Sequence, residues 1–359
     1  MSTDTQSALE APAPERGPVR VEPRLPRFAP LGLYLAGIAL GAGLSTLTGF
    51  SVTSTVIYGV IFGKLAVYVA ARAVEGRRKA TDRLATSLVT TAFAIAMVPL
   101  ISLVYTVLDK GLTRLDSAFF TQSMFRVVGE GGGAYHAIMG TLIITALATV
   151  ISVPIGLMTA IYLVEYGTGR LKRFITFFVD VMTGIPSIVA GLFSFALFAL
   201  IFGNDVRMGV MGAVALSVLM IPVVVRSCEE VLKLVPNELR EASYALGVPK
   251  WRTVVKVVLP TAIAGLGTGI TLAVARVVGE TAPLLVTVGL ITSTNFNPFD
   301  GRMATLPVFA YYQLTQPGTE TQAFLDRAWT AALVLIILVM ALNVVARLIS
   351  RFFAPTTGR

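Results

Sequence analysis

Eight stretches of this chain stay apolar for about 20 residues at a time, the length a helix needs to cross the hydrocarbon of a bilayer. They centre on 31–50, 52–71, 85–107, 138–162, 177–202, 209–225, 262–290 and 329–349. Lipid offers the backbone no hydrogen-bond partners, so a crossing segment must satisfy its own N–H and C=O groups, which a helix does alone. The expected fold is an all-α integral membrane protein. Composition agrees, since 55% of the 359 residues are hydrophobic and only 14% charged, unlike an ordinary soluble domain.

A net charge of +9 could point to nucleic acid, but its placement argues for a membrane instead. Lys and Arg gather in alternate loops, as the positive-inside rule requires: 21 of the 29 fall before residue 31, in 72–83, in 170–173, in 226–256 and after 346. The opposite loops hold Lys110, Arg114, Arg126, Arg207, Arg302 and Arg327, and Lys64 and Arg276 lie inside apolar stretches. Both termini are therefore expected in the cytoplasm of a multi-pass membrane protein, with lipid and not nucleic acid around it.

Cys228 is the only cysteine and His136 the only histidine, so neither a disulfide framework nor a Cys/His metal site can be built within the chain. No metal, cofactor or catalytic residue is expected. Residues 1–30, with six prolines among charges, cannot bury enough apolar surface to fold and read as a disordered cytoplasmic tail. Residues 31–71 read as a transmembrane hairpin, 72–84 as a basic cytoplasmic linker, 85–350 as the functional body and 351–359 as a second cytoplasmic tail. In the hairpin, Gly37-x-x-x-Gly41 would let another helix approach closely. Gly59 to Lys64 is one residue too short for a phosphate-binding P-loop, and Leu65 stands where Ser or Thr must hold magnesium. Any ATP must be hydrolysed by a separate chain. The long loops 108–136 and 291–328 face outward, where an external partner could dock.

The sharpest motif lies in the basic segment 237–260, between two apolar stretches. Pro236 and Asn237 supply helix-start chemistry, and Leu239, Ala242, Ser243 and Leu246 share one face at helical spacing. A short helix over 237–246 is expected, ended by Gly247, with Pro249 opening a second as its first residue. The result is a helix-glycine-helix elbow that carries small and apolar groups outward from the membrane.

Arg276 sits near the middle of the 262–290 stretch, where a central Arg costs roughly 2.5–3.5 kcal/mol on insertion scales and usually faces a cavity or partner. Glu280, four residues on, would lie on the same helical face and pair with it. A guanidinium's planar fork suits phosphate oxygens, and a neighbouring carboxylate would favour release over trapping. A buried pair that only fixes helix register is the alternative, and both readings stand at this point. Gly184-Ile185-Pro186-Ser187 interrupts another helix within the bilayer, either to line a pore or as a packing kink. Asp180 reads as solvated or capping, and Lys64 as reaching for the membrane surface.

Glu241-Ala242-Ser243, then Gly247, then Val257-Val258-Leu259-Pro260, resembles the EAA loop by which importer-type ABC permeases seat on their ATPase subunits. Gly140-Thr141-Leu142, Tyr162-Leu163-Val164-Glu165-Tyr166, Gly184 to Phe193, Ala275 to Leu285 and Thr305-Leu306-Pro307 add a narrower likeness over 85–350, to PstA-type permeases of bacterial phosphate importers. That resemblance implies a six-helix type I ABC importer permease core, here preceded by an extra two-helix hairpin. It implies a phosphate path through Arg276, Glu280, Thr281, Pro186 and Ser187, and ATPase coupling through Glu241, Ala242, Ser243, Gly247 and Pro260. The implied partners are a PstC-type permease in a heterodimer, two ATPase subunits that carry ATP and Mg, and an external phosphate-binding protein. A permease for another anion or small solute, or a membrane scaffold or sensor that moves nothing, are the rival readings; the absence of an evident repeat weakens a secondary transporter.

Overall fold

The computed structural model describes residues 25–353 apart from 27, 48, 50 and 204. The tail expected over residues 1–30 thus falls almost wholly outside the described residues, as does most of 351–359. The described residues are mostly helical, with no strand among them. The chain divides into two compact units, residues 1–103 and 104–359.

In the first unit, α1 (Ala29–Leu47) and α2 (Val52–Val74) form an antiparallel hairpin, followed by most of α3 (Arg77–Gly111). Glycine sets how closely the pair packs. A Cβ added at Gly37 would stand 2.4 Å from the Gly63 nitrogen, and one at Gly41 would stand 2.5 Å from that of Gly59. The Ser45 and Thr55 hydroxyls bond at 2.8 Å one step further along. The close approach expected of Gly37 and Gly41 is therefore made to α2, and backbone dispersion does the work that the hydrophobic effect cannot do in lipid. Gly41→Leu is expected to loosen the hairpin by on the order of 1–3 kcal/mol, lowering the temperature at which the purified protein unfolds. Gly43→Leu is the control, because a Cβ there meets only open space. At the hairpin's end Arg83 donates to both carboxylate oxygens of Glu75, at 2.6 and 2.8 Å, and the Leu25 amide adds a third bond at 2.7 Å. Arg83 first, then that amide, holds the Glu75 pKa below its ordinary value.

The second unit begins in the last turns of α3 and runs through α4 (Ser117–Thr121), α5 (Tyr135–Ile161), α6 (Gly169–Thr183), α7 (Ser187–Phe202), α8 (Gly209–Lys233), α9 (Asn237–Ala245), α10 (Lys250–Thr253), α11 (Leu259–Val278), α12 (Ala282–Thr287), α13 (Leu306–Thr315) and α14 (Thr321–Phe353). A π turn, Tyr162–Tyr166, extends α5, and another, Val254–Val258, joins α10 to α11. Seven helical segments among the described residues are long and apolar enough to span a membrane, and an eighth if α6 and α7 count as one.

Two of the eight sequence stretches are not continuous helices. The 177–202 stretch is cut between α6 and α7, which meet at a 106° bend. Gly184 ends α6, and Pro186, at φ −59° and ψ 136°, stands just before the first residue of α7. The 262–290 stretch is cut after Val278, with Gly279 as the helix end and Pro283 in the first turn of α12. Pro283 lacks an N–H, and its ring would collide with the Gly279 carbonyl in an unbroken helix. Glu280 consequently lies outside α11, so its expected one-turn register with Arg276 is not formed.

Helices α5, α8 and α11 build the core around Ile144, Ala148, Met220, Val224, Cys228, Leu266 and Ala273. Small residues again set the spacing. A Cβ at Gly156 would meet Val224 at 2.6 Å, one at Gly269 would meet Ser227 at 2.8 Å, and one at Gly191 of α7 would meet Pro283 at 2.7 Å. At the end remote from the elbow, the fully buried Arg327 of α14 donates to the carbonyls of Gly129 and Gly131 at 2.7 and 3.0 Å and to Gln313 Oε1 at 3.1 Å. That guanidinium gives the glycine-rich segment before α5 a fixed seat.

Candidate functional site: a cavity at two broken helices and an elbow

The two helix breaks converge. A cavity of about 200 Å³ is lined by Met182, Thr183, Ile185, Ser187, Leu219, Val223, Arg276 and Glu280. At about 30 Å³ per water it has room for roughly six or seven waters, a size suited to a small ion. Ser187 is the first residue of α7, whose N-terminus carries the positive end of the helix dipole. Arg276, in the last turn of α11, contributes a full positive charge; it is exposed, and Glu280 is half-buried. Neither side chain forms a hydrogen bond or ion pair among the described residues. Chemically, the arrangement offers an uncommitted guanidinium and a helix N-terminus to an anion, with one carboxylate opposing tight retention.

Of the five residues expected on the path, Arg276, Glu280 and Ser187 share this cavity. Pro186 shapes it by turning the chain and does not line it. Thr281 faces a different space, an apolar groove of about 530 Å³ between α12, α13 and α14. The helix break between residues 279 and 282 separates it from Arg276.

One turn from Val223 toward the elbow, Arg226 of α8 bonds Asp180 of α6 and donates to Glu229 at 2.8 Å. Lys233 donates to Glu229 from the far side at 2.7 Å. Asp180 is thus a cross-brace between α6 and α8, more than the solvated or capping group expected from sequence. The spacing Arg226-x-x-Glu229-x-x-x-Lys233 was the available signal for the α8 part of this network.

The elbow forms where the sequence puts it. Gly247 takes φ +73°, a region that suits glycine. Its N–H bonds the Tyr244 carbonyl at 2.9 Å, and the Val248 N–H bonds that of Ser243 at 3.2 Å, the paired bonds of a Schellman end. Pro249 precedes α10 instead of serving as its first residue. Leu239, Ala242, Tyr244, Leu246 and Trp251 are exposed, as are Glu241 and Pro260. Ser243 departs from expectation. It is buried, its hydroxyl bonding that of Thr253 at 2.8 Å, so it holds α9 to α10 and leaves Leu239, Ala242 and Leu246 to face outward. Sequence reading also passed over Arg240, which ties the elbow to Glu165 at the end of α5.

Comparison with known proteins places these features in a wider set. Residues 152–359 match the family described as "Binding-protein-dependent transport system inner membrane component". The chain is 50% identical over 288 residues to "Phosphate transport system permease protein PstA 1" of Mycobacterium tuberculosis, covering 79% of this chain and 91% of that one. It is 37% identical over 273 residues to "Phosphate transport system permease protein PstA" of Yersinia pestis, covering 76% and 90%. Among solved structures it is similar to a bacterial ABC transporter involved in the import of the acidic polysaccharide alginate. That likeness has a TM-score of 0.54 and 12% identity over 77% of this chain and 97% of that one, and it speaks to the fold alone.

Proposed function

This chain belongs to the PstA phosphate transport permeases, and we propose that it forms half of the path by which an ATP-driven importer carries inorganic phosphate across the bacterial inner membrane. The observation that carries this reading is Arg276, uncommitted and facing a cavity of about 200 Å³ beside the N-terminus of α7. Phosphate handed over by an external binding protein reaches that cavity and exchanges water for the guanidinium and nearby polar groups. Glu280 limits how tightly the anion is held, which a conduit needs as much as attraction.

The work is supplied from the other side. Both termini and the elbow face the cytoplasm, and Leu239, Ala242 and Leu246 seat in a groove on one of two ATPase subunits, a helix-in-groove contact whose affinity is apolar. Those subunits bind ATP and Mg and hydrolyse the nucleotide. This chain contributes no chemistry of its own. A PstC-type permease completes the path in a heterodimer.

The test is reconstitution of the chain with a companion permease, the ATPase and the binding protein in liposomes. Uptake of radiolabelled phosphate that depends on ATP, and that sulfate and small organic solutes do not replace, supports the reading. ATP-dependent uptake of a different solute, independent of Arg276, would make it a permease for that solute. ATP hydrolysis with no solute movement would make it a scaffold or sensor.

A further inference from the structure

The geometry points to a closed joint between the elbow and the end of α5, made by Glu165 and Tyr166 with Arg240 and Lys250, that passes elbow displacement into the membrane. This rests on the coupling role proposed for the elbow. Glu165 and Tyr166 are consecutive residues of the π turn that ends α5, and each receives a cation from a different helix of the elbow. From α9, Arg240 donates through Nε and Nη2 to Glu165 Oε1 at 3.0 and 2.9 Å. From α10, the Lys250 ammonium stands 5.1 Å from the Tyr166 ring centre, within cation–π range.

Arg240 does more than pair with Glu165. Its Nη1 donates to the Val235 carbonyl at 2.6 Å, and its Nη2 donates to that of Leu232 at 3.1 Å, so one guanidinium joins α9, the end of α8 and the end of α5. The two side chains are 12% and 4% exposed. Removing one partner of a buried pair leaves the other charge stranded, so such a pair resists opening. The connecting turns 234–236 and 246–249 could absorb a pull on the elbow, but Arg240 and the Ser243–Thr253 bond bypass both.

Beyond the joint, α5 leads to the opposite end of the unit. Pro154 removes one rung of its ladder, and Gly156 packed against Val224 steadies the helix there. Near its start, the Thr141 hydroxyl accepts the Leu306 amide at 2.7 Å, at the first residue of α13. α5 is therefore fastened at both ends. Glu165 and Arg240 are positioning residues, and π turns recur where a helix has functional work to do.

The test uses the assembled importer in liposomes and reads phosphate moved per ATP hydrolysed. In Glu165→Cys/Arg240→Cys that ratio is expected to fall about tenfold, with subunit assembly and ATP hydrolysis retained. A short bifunctional maleimide across the two cysteines is expected to restore it. The same reagent should leave the wild-type chain unchanged, since its single cysteine, Cys228, is buried. If the double variant fails to assemble, Tyr166→Cys/Lys250→Cys probes the more exposed edge of the same joint. A wild-type ratio without the tether, or a tether that arrests uptake because the joint must open, overturns the proposal. A wild-type complex that moves a different solute sinks the phosphate reading instead, and the joint is then scored by that solute's transport per ATP with and without the tether.

Discussion

Gly247→Glu should stop phosphate uptake while the protein remains in the membrane at wild-type abundance. A Cβ at this position meets nothing within 4 Å, so no clash within the chain opposes the substitution. The local cost is conformational: a side chain at φ +73° loses roughly 1–2 kcal/mol in the left-handed region, which a chain with this much buried core tolerates. What is lost is the contact. Leu246, beside it, is 83% exposed, and in the proposed docking a carboxylate next to that anchor must be desolvated against an apolar groove. Loss of a central anchor typically costs about 2 kcal/mol or more in binding, close to thirtyfold, and the proposed coupling uses the contact in every cycle. Gly247→Asn separates the causes, because Asn tolerates the left-handed conformation without a charge and should keep most of the uptake. Immunoblots of membranes, co-purification of the ATPase and radiolabelled uptake measure the three terms. Normal uptake in Gly247→Glu would remove the elbow from the coupling path.

Arg276→Gln should cut phosphate flux with the complex still assembled and still able to hydrolyse ATP. The side chain is exposed and uncommitted among the described residues, so its loss strands no partner and leaves the core of α5, α8 and α11 intact. Glutamine keeps an N–H donor and removes the charge. On the proposed path, losing a charge-assisted contact with phosphate is worth about 2–3 kcal/mol, on the order of a hundredfold in rate. Arg276→Lys should fall between, since an ammonium keeps the charge but not the planar fork. Unimpaired flux in Arg276→Gln would reduce the residue to a structural role and leave the cavity without its anion-binding element.

Span positions were legible because about 20 consecutive apolar residues have few other uses. The elbow was legible because helix starts, a left-handed glycine and a following proline are local signals, and Gly247 closes α9 through bonds spanning at most five residues. Local rules also located the break at Gly184–Ser187. Hydropathy alone ran 262–290 together as one stretch, although Gly279 and Pro283 are local signals for the break that takes Glu280 out of register with Arg276. Local rules failed where the answer lies in a distant partner. Ser243 shares a helical face with Leu239 on paper, but Thr253, ten residues on, turns it inward. Arg240 looked like one more cytoplasmic cation, and only the fold brings it to Glu165, 75 residues earlier in the chain.

The glycine seam of the hairpin bears on how that part of the protein can be made. Gly37 and Gly41 make their closest approach to Gly63 and Gly59, so α1 and α2 can pair as soon as both are in the membrane. What they then show the lipid is mostly large aliphatic side chains such as Leu35 and Ile61.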